Sequence, residues 1–294
     1  MTFGFKQSAN ESFLLMVSVK SSMETLSQPH CSVTSHAFVQ TTVSGIDLLR
    51  KNPCSTRAVS ELPPRFLRHS DEHTVVGISA VLHAMNRFED QTRSFESWGA
   101  LAAPRHPGRL MAAQTLCSVR TKGVSGVSTQ VIPQCLLHGM SSAVSVGLGM
   151  HGPNFGIGGG PDALQEGLTI AVGFLHTRIV PGIWMIFTQW DQEPVLSAED
   201  GSPLSDSSIC GLAMAIEPAG TQPARIRMSI DRSACSWNDQ TKGPHARADH
   251  ALRDLSQALD SIANGELARW SLSSGWGASL HVESLNSLSS REAA

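Results

Sequence analysis

The sequence predicts an α/β fold, and three observations carry that prediction. The stretch His151-Gly152-Pro153-Asn154-Phe155-Gly156-Ile157-Gly158-Gly159-Gly160-Pro161-Asp162 places four glycines within five positions and then Pro and Asp. That pattern is a tight backbone turn delivered into a helix, because Gly permits φ > 0 and Pro suits a first helical position whose N–H has no intrahelical partner. Asp162 suits the positive end of the helix dipole. After the turn, Ala163, Leu164, Leu168, Ala171, Val172 and Leu175 form a broad apolar stripe at helical spacing. Finally, Ile183-Trp184-Met185-Ile186-Phe187-Thr188 is a continuous apolar run with the character of a strand buried on both faces of a parallel sheet. Short strand, Gly turn, buried helix and buried strand make a βαβ unit.

The chain has 294 residues, enough for one large domain or two small ones. Hydrophobic residues make up 41% and charged residues 16%, which excludes a disordered chain. With 22 basic against 25 acidic residues, the net charge of −3 gives no bulk attraction for nucleic acid or a membrane surface. Six cysteines (Cys31, Cys54, Cys117, Cys135, Cys210, Cys235) lie at long spacings without C-x-x-C or a Cys/His cluster, so the sequence predicts reduced thiols, no metal site and no cofactor. The apolar run Phe13–Val17 is too short to span a membrane and has no signal-peptide pattern, so the expectation is a cytoplasmic protein.

In chain order, residues 1 to about 70 are rich in Ser, Thr and small polar residues, with strands expected at Ser12–Val19 and Ala37–Val43. Val75, Ile78, Val81, Leu82 and Met85 predict an amphipathic helix from Asp71 to Arg87, with His83 a surface or satisfied histidine. Ser97–Pro104 reads as a strand, and Pro104–Arg109 as a turn whose Arg105, His106 and Arg109 could bind an anion, with a solvated turn the commoner explanation. Leu110–Val119 is a helix, and 122–129 a loop. A helix follows from Ile132-Pro133 to about Leu148, crowded with small residues suited to close packing. Beyond the βαβ unit, 191–208 is a polar loop. Ile209–Ile216 and Ala224–Ile230 are expected as a hairpin around a Pro218–Pro223 turn, and 231–245 as a polar linker. An amphipathic helix at Asp249–Leu259 and strands at Trp270–Leu272 and Gly277–Val282 close the chain.

The run from Ile132-Pro133 through a small-residue helix into Gly147-Leu148-Gly149-Met150-His151-Gly152-Pro153-Asn154-Phe155 resembles the segment of β-ketoacyl synthases that precedes their nucleophile, where G-x-x-G-P-N enters a short strand. The βαβ unit, and the apolar strand followed by the polar loop from Gln189 to Glu193, fit as well, and the resemblance covers about residues 74 to 230. It implies a thiolase-like layered α/β/α/β/α fold with an abbreviated second half. Residues 1–70 would be a divergent N-terminal region of the same domain, 71–200 a ketosynthase-like core with the Gly-rich elbow, and 201–294 a shortened C-terminal half. It further implies pairing of two subunits across the strand beside the elbow. The family's activity is acyl transfer, 3-oxoacyl synthesis on acyl carrier protein, by a cysteine whose thiolate is favoured at a helix N-terminus.

Counting from Gly152-Pro153-Asn154-Phe155 puts that cysteine at Pro161, within Gly158, Gly159, Gly160, Pro161 and Asp162, where there is no cysteine, serine or glutamine. The family's H-G-T and G-H-x-x-G patterns are also absent after residue 161, where the histidines are His176, His245, His250 and His281. Catalytic residues are therefore not identifiable from the family pattern. Three functions remain open. One is a non-condensing, chain-length-factor-like partner of an active ketosynthase in fatty acid or polyketide biosynthesis, a homo- or heterodimer working with acyl carrier protein. Another is an acyltransferase or decarboxylase on carrier-protein thioesters with non-standard residues, for which Cys135 and His138, three apart on one helix face, are the candidates. The last is an anion- or nucleotide-binding protein using the Gly-rich elbow, although a G-x-G-x-x-G begun at Gly156 meets Pro161 at its third glycine and no P-loop Lys is present.

Overall fold

A computed structural model describes residues 29–54, 62, 66–88, 90, 92–129, 131–220, 226–231, 250–273 and 278–284. The expected strand Ser12–Val19 lies outside these residues, as does the expected linker 231–245 apart from Asp231. Among the described residues, the chain runs β1 (His30–Thr42), α1 (Ile46–Lys51), α2 (Glu72–Met85), β2 (Gly99–Pro104), α3 (Arg109–Lys122), α4 (Val131–Gln134), α5 (His138–Gly147), β3 (Asn154–Gly156), α6 (Ala163–His176), β4 (Ile183–Trp190), β5 (Ser208–Pro218), β6 (Ile226–Asp231), α7 (Ala251–Ala263), β7 (Arg269–Ser273) and β8 (Ser279–Ser284). No helix among them is long and apolar enough to cross a membrane.

The strands form one mixed sheet in the order β3-β2-β4-β5-β1-β6-β8-β7. β2 is parallel to both β3 and β4, and the remaining pairs are antiparallel. The α/β class is thus found; β5 is inserted between β4 and β1, and β6, β8 and β7 continue the same sheet beyond β1. All eight residues of β4 are buried. Its alternation sends Ile183, Met185 and Phe187 into the core shared with α6 and α7, and Trp184 and Ile186 into the core shared with α2 and α5. Two covered faces explain why the strand reads as unbroken apolar sequence. β1 also serves both cores. Cys31 and Val33 face the α6 side and Ala37 the α2 side, because the register shifts between Val33 and Ser35 and so rephases the alternation.

Two sequence expectations change. β5 and β6 are not a hairpin, since β1 lies between them and Cys31 stands opposite both Pro218 and Met228. The two strands carry apolar residues suited to either pairing, and β1 supplies a third strand long enough to separate them. The single helix expected over 132–148 is two, α4 and α5, interrupted at Cys135–Leu137. Gly139 and the serines after it give little intrinsic helix drive, and the break seats Leu137 on the elbow glycines.

Candidate functional site

Local sequence builds the elbow as expected, with its helix starting two residues later. β3 ends at Gly156, and the Ile157 N–H donates to the Ala102 carbonyl at 2.8 Å. Gly158 (φ 76°) and Gly159 (φ 90°) then take the left-handed conformation that favours glycine. The Gly159 carbonyl accepts from the His106 N–H at 3.1 Å, and the Arg105 N–H donates to the Thr188 carbonyl at 2.8 Å. The turn is thereby stitched to the carboxyl ends of β2 and β4, where α/β proteins place their ligands. Asp162 is the N-cap of α6, without a side-chain cap bond, so Pro161 precedes the helix instead of opening it.

Pro161 and Asp162 are exposed at the apex. Behind them the space is filled, since a Cβ on Gly159 would lie 2.8 Å from a Leu137 methyl and one on Gly156 would lie 2.2 Å from the Leu137 carbonyl. A Cβ on Gly158 would lie 3.2 Å from a Glu166 carboxylate oxygen. Glu166 in the first turn, with Asp162 at the cap, puts negative charge where an anion would bind, which disfavours the phosphate-cradle reading. The apex of the elbow, Pro161, is therefore an exposed ring with no nucleophilic atom.

Cys135 and His138 are not joined. Cys135, half-buried, points its thiol at the Gly108 carbonyl 3.9 Å away, and burial together with Asp71 and Glu72 pushes the thiol pKa up. An activated nucleophile needs the opposite shift. His138 is exposed, its Nδ1 3.4 Å from the Ser141 hydroxyl, which itself donates to the His138 carbonyl at 3.1 Å. Among the described residues no three His, Cys, Asp or Glu side chains gather as a metal site.

Sequence reasoning missed Asp71-Glu72-His73, which opens α2 beside the same strand ends. The Asp71 side chain caps the helix, accepting from the Thr74 N–H at 2.9 Å. Burial pushes the Glu72 carboxyl up to about 7, with the Asp71 charge adding to the effect. His73 is fully buried and held neutral, its pKa pushed down to about 4 by desolvation. Its Nδ1 lies 2.9 Å from the Thr188 hydroxyl, while its Nε2 has no partner among the described residues. The cap was legible as Asp followed three residues later by Thr and an apolar helix. The burial of Glu72 and His73 was not, because it depends on β4 lying across them.

The mixed sheet with its glycine elbow between β3 and α6 shares its fold with solved ketosynthase structures. No protein-family model matches the chain, and no curated protein sequence matches it. Solved structures do. One is described as the AntDE:AntF type II PKS acyl-carrier protein in complex with its ketosynthase bound to the hexaketide (TM-score 0.57, 10% identity, covering 88% of this chain and 99% of that chain). Another is the ishigamide ketosynthase/chain length factor (TM-score 0.53, 12% identity, 86% and 98%). A third is the ketosynthase ApeO in complex with its chain length factor ApeC from Xenorhabdus doucetiae (TM-score 0.51, 11% identity, 86% and 98%). At these identities the likeness establishes the fold.

Proposed function

We propose that this chain is a non-condensing, chain-length-factor-like subunit that pairs with an active ketosynthase working on carrier-protein-bound acyl chains. The observation that carries the reading is the elbow itself: the backbone scaffold that would present a nucleophile is retained, and its apex is Gly160-Pro161. Two further features support it. Those three similar structures are assemblies containing a ketosynthase, two of them with its chain length factor, and the alignments run over nearly the whole of the matched chains. The edge beside the elbow is also open. Among the described residues β3 is the terminal strand of the sheet and pairs only with β2, which leaves one side of its backbone available to add a strand. Phe155 on that edge is 44% exposed, and Leu136 (56%) in the break between α4 and α5 and Ile170 (43%) on α6 add exposed apolar surface.

Affinity copurification with a ketosynthase from the same source tests the pairing. The expected result is a stable complex that Phe155→Asp abolishes while the variant's own thermal melt stays within a few degrees of wild type. Absence of a complex with wild-type chain, or an undiminished complex with the variant, overturns the reading. Cys135→Ala in the same complex is expected to leave product formation unchanged.

A further inference from the structure

Away from the elbow and the open β3 edge, a cleft of about 220 Å³ lies between the end of α1, the turn before α2, and the starts of α3 and α4. Its charged lining is wholly basic: Arg50 from α1, and Arg68 and His69 from the turn. Ser128 adds a hydroxyl, and Met111 and Val131 form an apolar wall. Arg50 is preorganised, with one guanidinium nitrogen paired to Asp47 and another donating to the Ser70 carbonyl at 3.2 Å. Its buried Nε has no partner among the described residues. Arg68 and His69 are exposed and have no acidic partner among the described residues. The Asp47 carboxylate offsets the charge of Arg50, so the cleft's unpaired guanidinium among the described residues is that of Arg68.

We infer that this cleft binds a small phosphate monoester, with the phosphate held by Arg50, Arg68, His69 and Ser128 and the ester carbon against Met111 and Val131. Guanidinium groups match phosphate oxygens in pairs and bind them with charge-assisted hydrogen bonds. The volume is below the roughly 300 Å³ at which pockets begin to hold drug-sized ligands, so the fit is to a small anion. The site lies apart from the elbow, where Glu166 and Asp162 repel anions, and it requires no ketosynthase partner, so it stands or falls separately from the subunit reading.

The test is calorimetric titration of the isolated chain with inorganic phosphate and with glycerol 3-phosphate at low ionic strength. Saturable one-to-one binding is expected, tighter for glycerol 3-phosphate, weakened at least tenfold by Arg68→Ala and lost in Arg68→Ala/His69→Ala. Both substitutions are at exposed side chains, and circular dichroism melts should match wild type. Absence of saturable binding, or equal binding by wild type and Arg68→Ala, overturns the inference.

Discussion

Replacing Glu72 by Gln should stabilise the protein at alkaline pH and leave it unchanged in acid. The carboxyl sits in the buried first turn of α2, where desolvation, and secondarily the Asp71 charge, raise its pKa from 4.5 to about 7. A raised carboxyl pKa means the folded chain holds the proton more tightly than the unfolded chain. The stabilisation is therefore complete below pH 4.5 and is lost as pH rises through 7. At 1.36 kcal/mol per pH unit, the gap between 4.5 and about 7 amounts to about 3 kcal/mol. Gln has nearly the same shape and no charge to desolvate. Urea unfolding of both proteins at pH 4, 6, 7 and 8 should give stabilities that coincide at pH 4 and diverge to about 3 kcal/mol in favour of the variant at pH 8. Parallel pH profiles, or a variant weaker at pH 8 than at pH 4 relative to wild type, would refute the buried, proton-holding assignment of Glu72.

Other parts of the structure make equally specific demands. Arg93 pairs with Glu217 at 2.8 Å, the latter side chain only 4% exposed, and its guanidinium lies 4.8 Å from the Trp98 ring centroid and 5.1 Å from that of Phe88. Arg93→Ala leaves a buried carboxylate unpaired, and urea unfolding should show a loss of about 3–5 kcal/mol. Lys at that position should recover only part, because it lacks the flat guanidinium that lies over the rings. At the elbow, Gly156→Ala puts a methyl 2.2 Å from the Leu137 backbone and should cost at least about 1–3 kcal/mol. Gly160→Ala meets nothing within 4 Å and should change stability by less than about 0.5 kcal/mol. Equal effects at the two glycines would mean that α5 does not pack on the elbow as described.

The elements whose burial is local in sequence were legible. β4 announced itself because both faces are covered, α7 because its Leu252, Leu255, Leu259 and Ile262 fall at helical spacing on one buried face, and the elbow because only glycine accepts its two left-handed residues. What failed was long-range pairing. Nothing in Ile209–Ile216 and Ala224–Ile230 shows that β1, some 170 positions earlier than β5, would separate them. The helix break at Cys135–Leu137 is likewise a tertiary effect, set by Leu137 filling the space over Gly156 and Gly159. The site was half visible for the same reason. The identity of the apex residue, Pro161, is read from one position, while the buried Glu72 and the His73–Thr188 contact exist only in the folded chain, where α2 packs on β4.

The most direct test of a non-condensing subunit is the intact mass of each chain after the complex with an active ketosynthase is incubated with acyl carrier protein charged with an acyl starter. The account predicts an added acyl mass on the ketosynthase chain alone, with this chain's mass unchanged. An acyl adduct on this chain would contradict it and would mark a working nucleophile outside the elbow.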